Sequence, residues 1–257
     1  MSRRASIASV LGCGIVALCT NASAQYAGNE LGSVRHKQFT SPQHFALEFR
    51  FGPYKPSIDS EPGVSGSPYQ SVFGNSYRVL AAVEFDWQAL RIPHFGSIGP
   101  GVSFGYTSMG AKANFSTCPP SGSCQSAETT SLDVFPLYAV GVLRLDVLMK
   151  DFNIPLVPYG KAGAGLAFWR ASNDAGTSSY GGVAGKGHTW GTQFAAGLAL
   201  SLNWLDPRAA RSLDSAVGIN NTSLFGEIMW ANLNGFGGTG SLHVGTTTFI
   251  GGLSLEF

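Results

Sequence analysis

The sequence predicts an all-β fold, an eight-stranded antiparallel transmembrane β-barrel that follows a signal peptide and carries long extracellular loops. Three observations lead there. A secretory leader opens the chain, eight segments alternate apolar and polar residues with a period of two, and the connections between those segments are alternately long and short. Composition agrees: charged residues make up only 12%, about half the share usual in a soluble domain, whereas aromatics reach 12% and glycine numbers 34. Much of the surface is therefore expected to face something other than water.

The leader spans residues 1–24. Arg3 and Arg4 precede an apolar run from Ala5 to Cys19, and Ala22-Ser23-Ala24 before Gln25 has the A-x-A form of a cleavage site. That run is shorter than the ~20 residues a membrane-spanning helix needs. Without Arg3 and Arg4 the mature chain holds 14 basic residues against 15 acidic, so no electrostatic case for nucleic acid arises. No later stretch approaches ~18 consecutive apolar residues. A closed barrel is then the one integral form left, because backbone groups in lipid must all be paired.

Residues 25–43 are polar and unpatterned, a periplasmic lead-in to a barrel over residues 44–257. His44 to Gly52 alternates Phe45, Leu47, Phe49 and Phe51 with His44, Ala46, Glu48 and Arg50. In a membrane barrel the first set meets lipid and the second points into the lumen. Pro53 to Asn75 is a loop rich in Pro, Gly and Ser. Ser76 to Leu90 directs Val79, Ala81, Val83, Phe85 and Trp87 outward and Ala82, Glu84, Asp86 and Gln88 inward. A short turn around Pro93 leads to Ser97–Met109, where Ile98, Val102, Phe104 and Tyr106 oppose Gly99, Gly101, Ser103 and Gly105.

A second long loop, Gly110 to Thr130, precedes a strand over Leu132–Leu148, in which Arg144 and Asp146 face in. The turn Lys150–Pro155 leads to Leu156–Arg170, with Lys161 inward. After the Gly/Ser-rich loop Ala171–Gly187, the segment His188–Trp204 carries the strongest outward set, Trp190, Phe194, Ala196, Leu198, Leu200, Leu202 and Trp204. Asp206 before Pro207 reads as a helix N-cap with proline at the first helical position, so a short periplasmic helix is expected over Leu205–Val217. Asn221–Asn232 is the seventh strand, with Glu227 inward. After the loop Asn234–Ser241, the last strand alternates Thr247, Phe249, Gly251, Leu253, Leu255 and Phe257 against Thr248, Ile250, Gly252, Ser254 and Glu256. Both ends of the barrel then fall on the periplasmic side, and the aromatics fall into two girdles.

A terminal amphipathic strand ending in Phe257 resembles the closing strand of bacterial outer-membrane barrels, which implies that this aromatic belongs to the insertion signal. Further segments, FGPYKPSIDSE from Phe51, EFDWQALRIPHFGSIGPG from Glu84, IPLVPYGKAGAG from Ile154 and LFGEIMWANLNGFG from Leu224, resemble a family of uncharacterised bacterial outer-membrane β-barrel proteins. The resemblance covers nearly all of the mature chain. It implies the fold and a location in the outer membrane, and it brings no activity or functional residues with it.

Two constellations stand out. Cys118 and Cys124 bracket Pro-Pro-Ser-Gly-Ser in the second external loop, the pattern of a disulfide in an exported protein. The inward charges Glu48, Glu84, Asp86, Asp146, Glu227 and Glu256 oppose Arg50, Arg144 and Lys161. An eight-stranded barrel is just wide enough for side chains to fill, so these nine are expected to form a paired ionic network that plugs the lumen, with carboxylates in excess. A proton or ion path, or a small pore, is the alternative use of the same charges. The five histidines are scattered, and neither a metal nor a cofactor is expected.

An enzyme reading, a lipid or peptide hydrolase using His188 or His243 at the external rim with Asp174 nearby, is the weaker alternative, because serines are plentiful in the chain and surface histidines are usually inert. The expected partners are outer-membrane lipid and lipopolysaccharide, the barrel-assembly machinery and an extracellular ligand met by the loops. The barrel is expected to be a monomer with a structural or surface-binding role.

Overall fold

The structure is a computed structural model that describes residues 43–114, 125–238 and 240–257. The leader, the lead-in up to residue 42 and the pair Cys118/Cys124 lie outside the described residues.

Eight strands close on themselves: β1 (Phe45–Tyr54), β2 (Arg78–Trp87), β3 (Gly96–Asn114), β4 (Gln125–Arg144), β5 (Leu156–Asn173), β6 (Lys186–Ser201), β7 (Asn221–Leu233) and β8 (Thr246–Glu256). Each pairs antiparallel with its sequence neighbour, and β1 pairs with β8 from Ala46↔Glu256 to Phe51↔Gly251. This closure leaves no long sheet edge, the liability that open sheets must otherwise cover. Two short strands, Leu90–Ile92 and Gly176–Thr177, pair with β3 and β5 beyond the barrel wall.

The alternation read from the sequence sets which face each residue takes. Val79, Val83, Phe85, Trp87, Ile98, Val102, Phe104, Phe194, Leu198, Leu224, Ile228 and Phe249 are exposed on the outside, whereas Glu48, Arg50, Glu84, Asp86, Lys161 and Glu227 are at most 3% exposed. An apolar exterior around a charged interior inverts the soluble arrangement, and it fits strands surrounded by hydrocarbon. At the seam Phe257 exchanges backbone hydrogen bonds with Phe45 (2.9 and 2.8 Å), and the Phe45 ring packs against Phe85 and Phe257 at 5.3 and 6.1 Å between centroids.

The strands differ from expectation mainly at their ends. β3, β4 and β5 run for 19, 20 and 18 residues, so the hairpins reach well into the stretches expected as loops, whereas β1 and β2 have 10 each. One wall of the barrel therefore stands taller than the other on the external side. On the periplasmic side β4 stops at Arg144 rather than continuing to Leu148, because Val147–Lys150 turns into a one-turn helix, α2. β6 likewise stops at Ser201, which leaves Leu202 and Trp204 in the turn.

Two further helices flank the barrel. α1 (Pro68–Phe73) lies in the first external loop, and its first amides donate to the Asp59 carboxylate at 2.7 and 3.1 Å. α3 (Pro207–Val217) follows the capping reading closely: Asp206 accepts from the amides of Arg208 and Ala209 at 3.0 Å each, and Gly218 ends the helix at φ 73°, where glycine is favoured. No helix among the described residues is long and apolar enough to cross a membrane.

Candidate functional site

Among the described residues, chemistry-bearing side chains converge in the lumen. β1 contributes Glu48 and Arg50, β2 Glu84 and Asp86, β4 Arg144, β5 Tyr159 and Lys161, and β7 Glu227, all on inward positions, with the residues of each of the three pairs two apart. Arg50 is the hub. Its guanidinium donates to Glu84 at 2.5 Å, to Glu48 at 3.2 Å and to Glu227. Lys161 bonds Glu48 at 2.6 Å and also Glu84, with Glu227 at 3.7 Å. Arg144 joins Glu48 at 2.7 Å to Asp86 at 2.5 Å and approaches Glu256 at 3.5 Å.

Aromatic rings enclose the knot. The Tyr159 hydroxyl donates to Glu227 at 2.9 Å, and the ring lies 5.2 Å from the Lys161 ammonium and 5.8 Å from the Arg144 guanidinium. Arg50 stands over Phe225 at 6.0 Å. Room for this packing comes from glycine. A Cβ at Gly197 would stand 2.7 Å from both the Tyr159 ring and the Glu227 Cβ, and one at Gly101 would stand 2.2 Å from an Asp86 oxygen.

Within this knot three cations meet four fully buried carboxylates, so one negative charge is left over. Asp86 carries the loose end, because its Oδ1 has no hydrogen-bond partner among the described residues. Carboxylate oxygens of Glu48, Glu84 and Asp86 come within 4.8 Å of one another, a spacing that could suit a metal ion. Lys161 already bridges Glu48 and Glu84, however, and Arg144 bridges Glu48 and Asp86, so protein cations occupy the positions a metal would take.

Two of the nine inward charges belong to the periplasmic mouth rather than to the knot. Asp146 has left the strand and pairs with Arg91 at 3.3 Å and with Lys150 one helical turn on. Glu256 accepts from Gln43 at 3.2 Å and Asn221 at 3.1 Å. Arg91 also reaches Gln88 at 2.7 Å and Gln43 at 3.2 Å, which makes a polar collar around the opening. Sequence reasoning missed Arg91, Gln43, Asn221 and Tyr159. For Tyr159 a signal existed, its position two residues before Lys161 on the same face.

The external half of the lumen is built differently. Tyr54, Leu80, Met109, Leu132, Val134, Tyr138, Leu233, Val244 and Ile250 form a buried apolar cluster. The first and last external loops cover it. Tyr69 of α1 is 3% exposed and packs its ring, tilted, against Phe73 at 5.2 Å between centroids, and burial pushes its phenol above the ordinary tyrosine range. In the last loop the Tyr54 hydroxyl donates to the carbonyl of Val244, and the Val244 amide donates to Leu233 at 3.1 Å. A cavity of about 10 Å³ lies between the two halves, lined by Arg50, Ser103, Tyr138, Met229 and Ile250 among others, barely the room one water needs.

The histidines do not assemble with Asp174. His188 is exposed on the outer wall, where its ring lies 6.4 Å from Phe168, whereas His243 is buried in the last loop. Asp174 accepts from the Thr129 amide at 3.0 Å and from the Thr129 hydroxyl, bonds that hold its carboxyl below the ordinary carboxylate range.

A closed antiparallel wall, greasy outside and ionic inside, with aromatic residues at both ends, requires a bilayer around it. It is an outer-membrane β-barrel. Among solved structures the chain is similar to Ail, the attachment invasion locus protein of Yersinia pestis, in complex with the heparin analogue sucrose octasulfate. Identity there is 14%, coverage is 84% of this chain and 97% of that one, and the TM-score is 0.41. It is also similar to Neisserial surface protein A, at 15% identity, the same two coverages and a TM-score of 0.42. No family model and no curated protein sequence matches the chain.

Proposed function

We propose that this outer-membrane barrel is a non-conducting scaffold whose lumen is filled by its own side chains and whose external loops bind a partner at the cell surface. The observation that supports it is the position of Arg50, which ties β1 to Glu84 on β2 and to Glu227 on β7 across the barrel interior. With Lys161, Arg144, Tyr159 and Phe225 around it, that cross-tie leaves no wide aqueous path, and Tyr54, Met109 and Val244 close the external side in apolar fashion. Loops held by such a rigid wall are the ordinary place for recognition. On this reading the barrel contributes no catalysis.

Planar-bilayer recording of the refolded mature protein tests the filled lumen, with no steady channel of porin size expected. A stable, large conductance in the unmodified protein would reject it. Replacing residues 59–74 with a short Gly/Ser linker tests the loop role. It should abolish cell-surface binding while heat-modifiable mobility persists, and unchanged binding would count against that role.

A further inference from the structure

On the outer wall, at the external end of the β5–β6 pair, lies an open cleft of about 440 Å³ lined by Phe135, Phe168, Trp169, Arg170, Lys186 and His188 together with Gly187. The register explains the grouping. Lys186 stands directly opposite Arg170, and His188 directly opposite Phe168, so both cations are one pleat step above the aromatic pair on the lipid-facing side. Below them the same face continues into Trp190, Phe194 and Leu198, each about half exposed, as the apolar belt. The cations thus sit where the hydrocarbon belt ends.

Neither Arg170 nor Lys186 forms an ion pair among the described residues. Asp133, opposite Arg170 on β4, is the acid facing them, and its carboxylate accepts the Tyr106 hydroxyl at 3.2 Å. Tyr106 in turn packs against Phe135 with 5.0 Å between ring centroids, which extends the aromatic floor. Two unpaired cations above an aromatic floor at the edge of a lipid-facing belt match an amphiphile with acyl chains below and a phosphate above.

We propose that this cleft binds the phosphate group of a phosphorylated lipid in the outer leaflet, with Arg170 and Lys186 on the phosphate and Phe135 and Phe168 against the first carbons below it. Arg170 can engage two phosphate oxygens in its planar fork, and Lys186 supplies a point charge. The site lies on the wall rather than on the loops, so it stands or falls independently of the loop-binding proposal.

Native mass spectrometry of the mature barrel, released from neutral detergent and titrated with bisphosphorylated lipid A, tests it. Arg170→Glu with Lys186→Glu should weaken binding by about tenfold or more, since each basic residue near a charged lipid surface contributes on the order of 1 kcal/mol. Lys186→Gln alone should give a smaller loss in the same direction and covers the case in which the double variant fails to fold. Dephosphorylated lipid A should bind the parent weakly, and inorganic phosphate should not compete. Equal binding by parent and Lys186→Gln, equal binding of the dephosphorylated lipid, or displacement by inorganic phosphate would each overturn the proposal.

Discussion

The two halves of the lumen solve one packing problem with opposite chemistry. The periplasmic half buries Arg50, Arg144 and Lys161 against four carboxylates, whereas the external half buries Tyr54, Leu80, Met109, Leu132 and Val134. The difference shows that a barrel interior need not be polar throughout. The ionic half is held by directional bonds from five strands, while the apolar half depends on the loops that cover it, through α1 and the Tyr54 to Val244 bond. The first should resist rearrangement of the loops, and the second should not.

Breaking the ionic side gives the largest expected effect. Arg50→Met leaves Glu84 and Glu227 short of their main counter-charge and should cost about 3–5 kcal/mol in urea unfolding followed by tryptophan fluorescence in detergent. A loss under about 1 kcal/mol would show that the knot is not the barrel's main tie.

The apolar side gives the next effect. Met109→Ala removes a fully buried side chain and should cost about 2–4 kcal/mol in the same assay. Deleting α1 on top should add little once the apolar layer is already loosened; full additivity would separate the loop from the layer beneath it. Tyr54→Phe, the smallest change, removes one hydroxyl and should cost about 1 kcal/mol. It should also raise hydrogen exchange at the Val244 amide while leaving the Glu227 region unchanged. An effect that spread to β7 would erase the division between the halves.

Much of the wall could be read in the chain because alternation with a period of two shows clearly wherever one face is greasy and the other polar. β1, β2 and β8 have that contrast, and Asp206-Pro207 announced α3 equally plainly. The taller wall did not show, because above the lipid both faces of Gly110–Lys112 and Thr129–Ser131 are small or polar and the contrast vanishes. α2 was hidden for the opposite reason. Leu143, Leu145 and Val147 continue the strand rhythm in letters, while the chain has already turned at Asp146. The apolar layer was obscured because Val134, Tyr138, Val140 and Val142 face inward beside outward Leu137 and Leu143, so Val134–Leu143 reads as one run without a charge. The pairing of the inward charges lay beyond parity altogether, since choosing which acid meets Arg50 requires the relative stagger of β1, β2 and β7.

The seam between β1 and β8 joins Ala46 to Glu256, the two most sequence-distant strands of the sheet. Such a contact forms late, because the entropy of closing so long a loop must be met before the pairing rewards it. Until then each of the two flanking strands offers an unpaired backbone ladder that a second nascent copy could occupy. The step that seals the cylinder is therefore also the step at which a folding chain is most exposed to joining its neighbour.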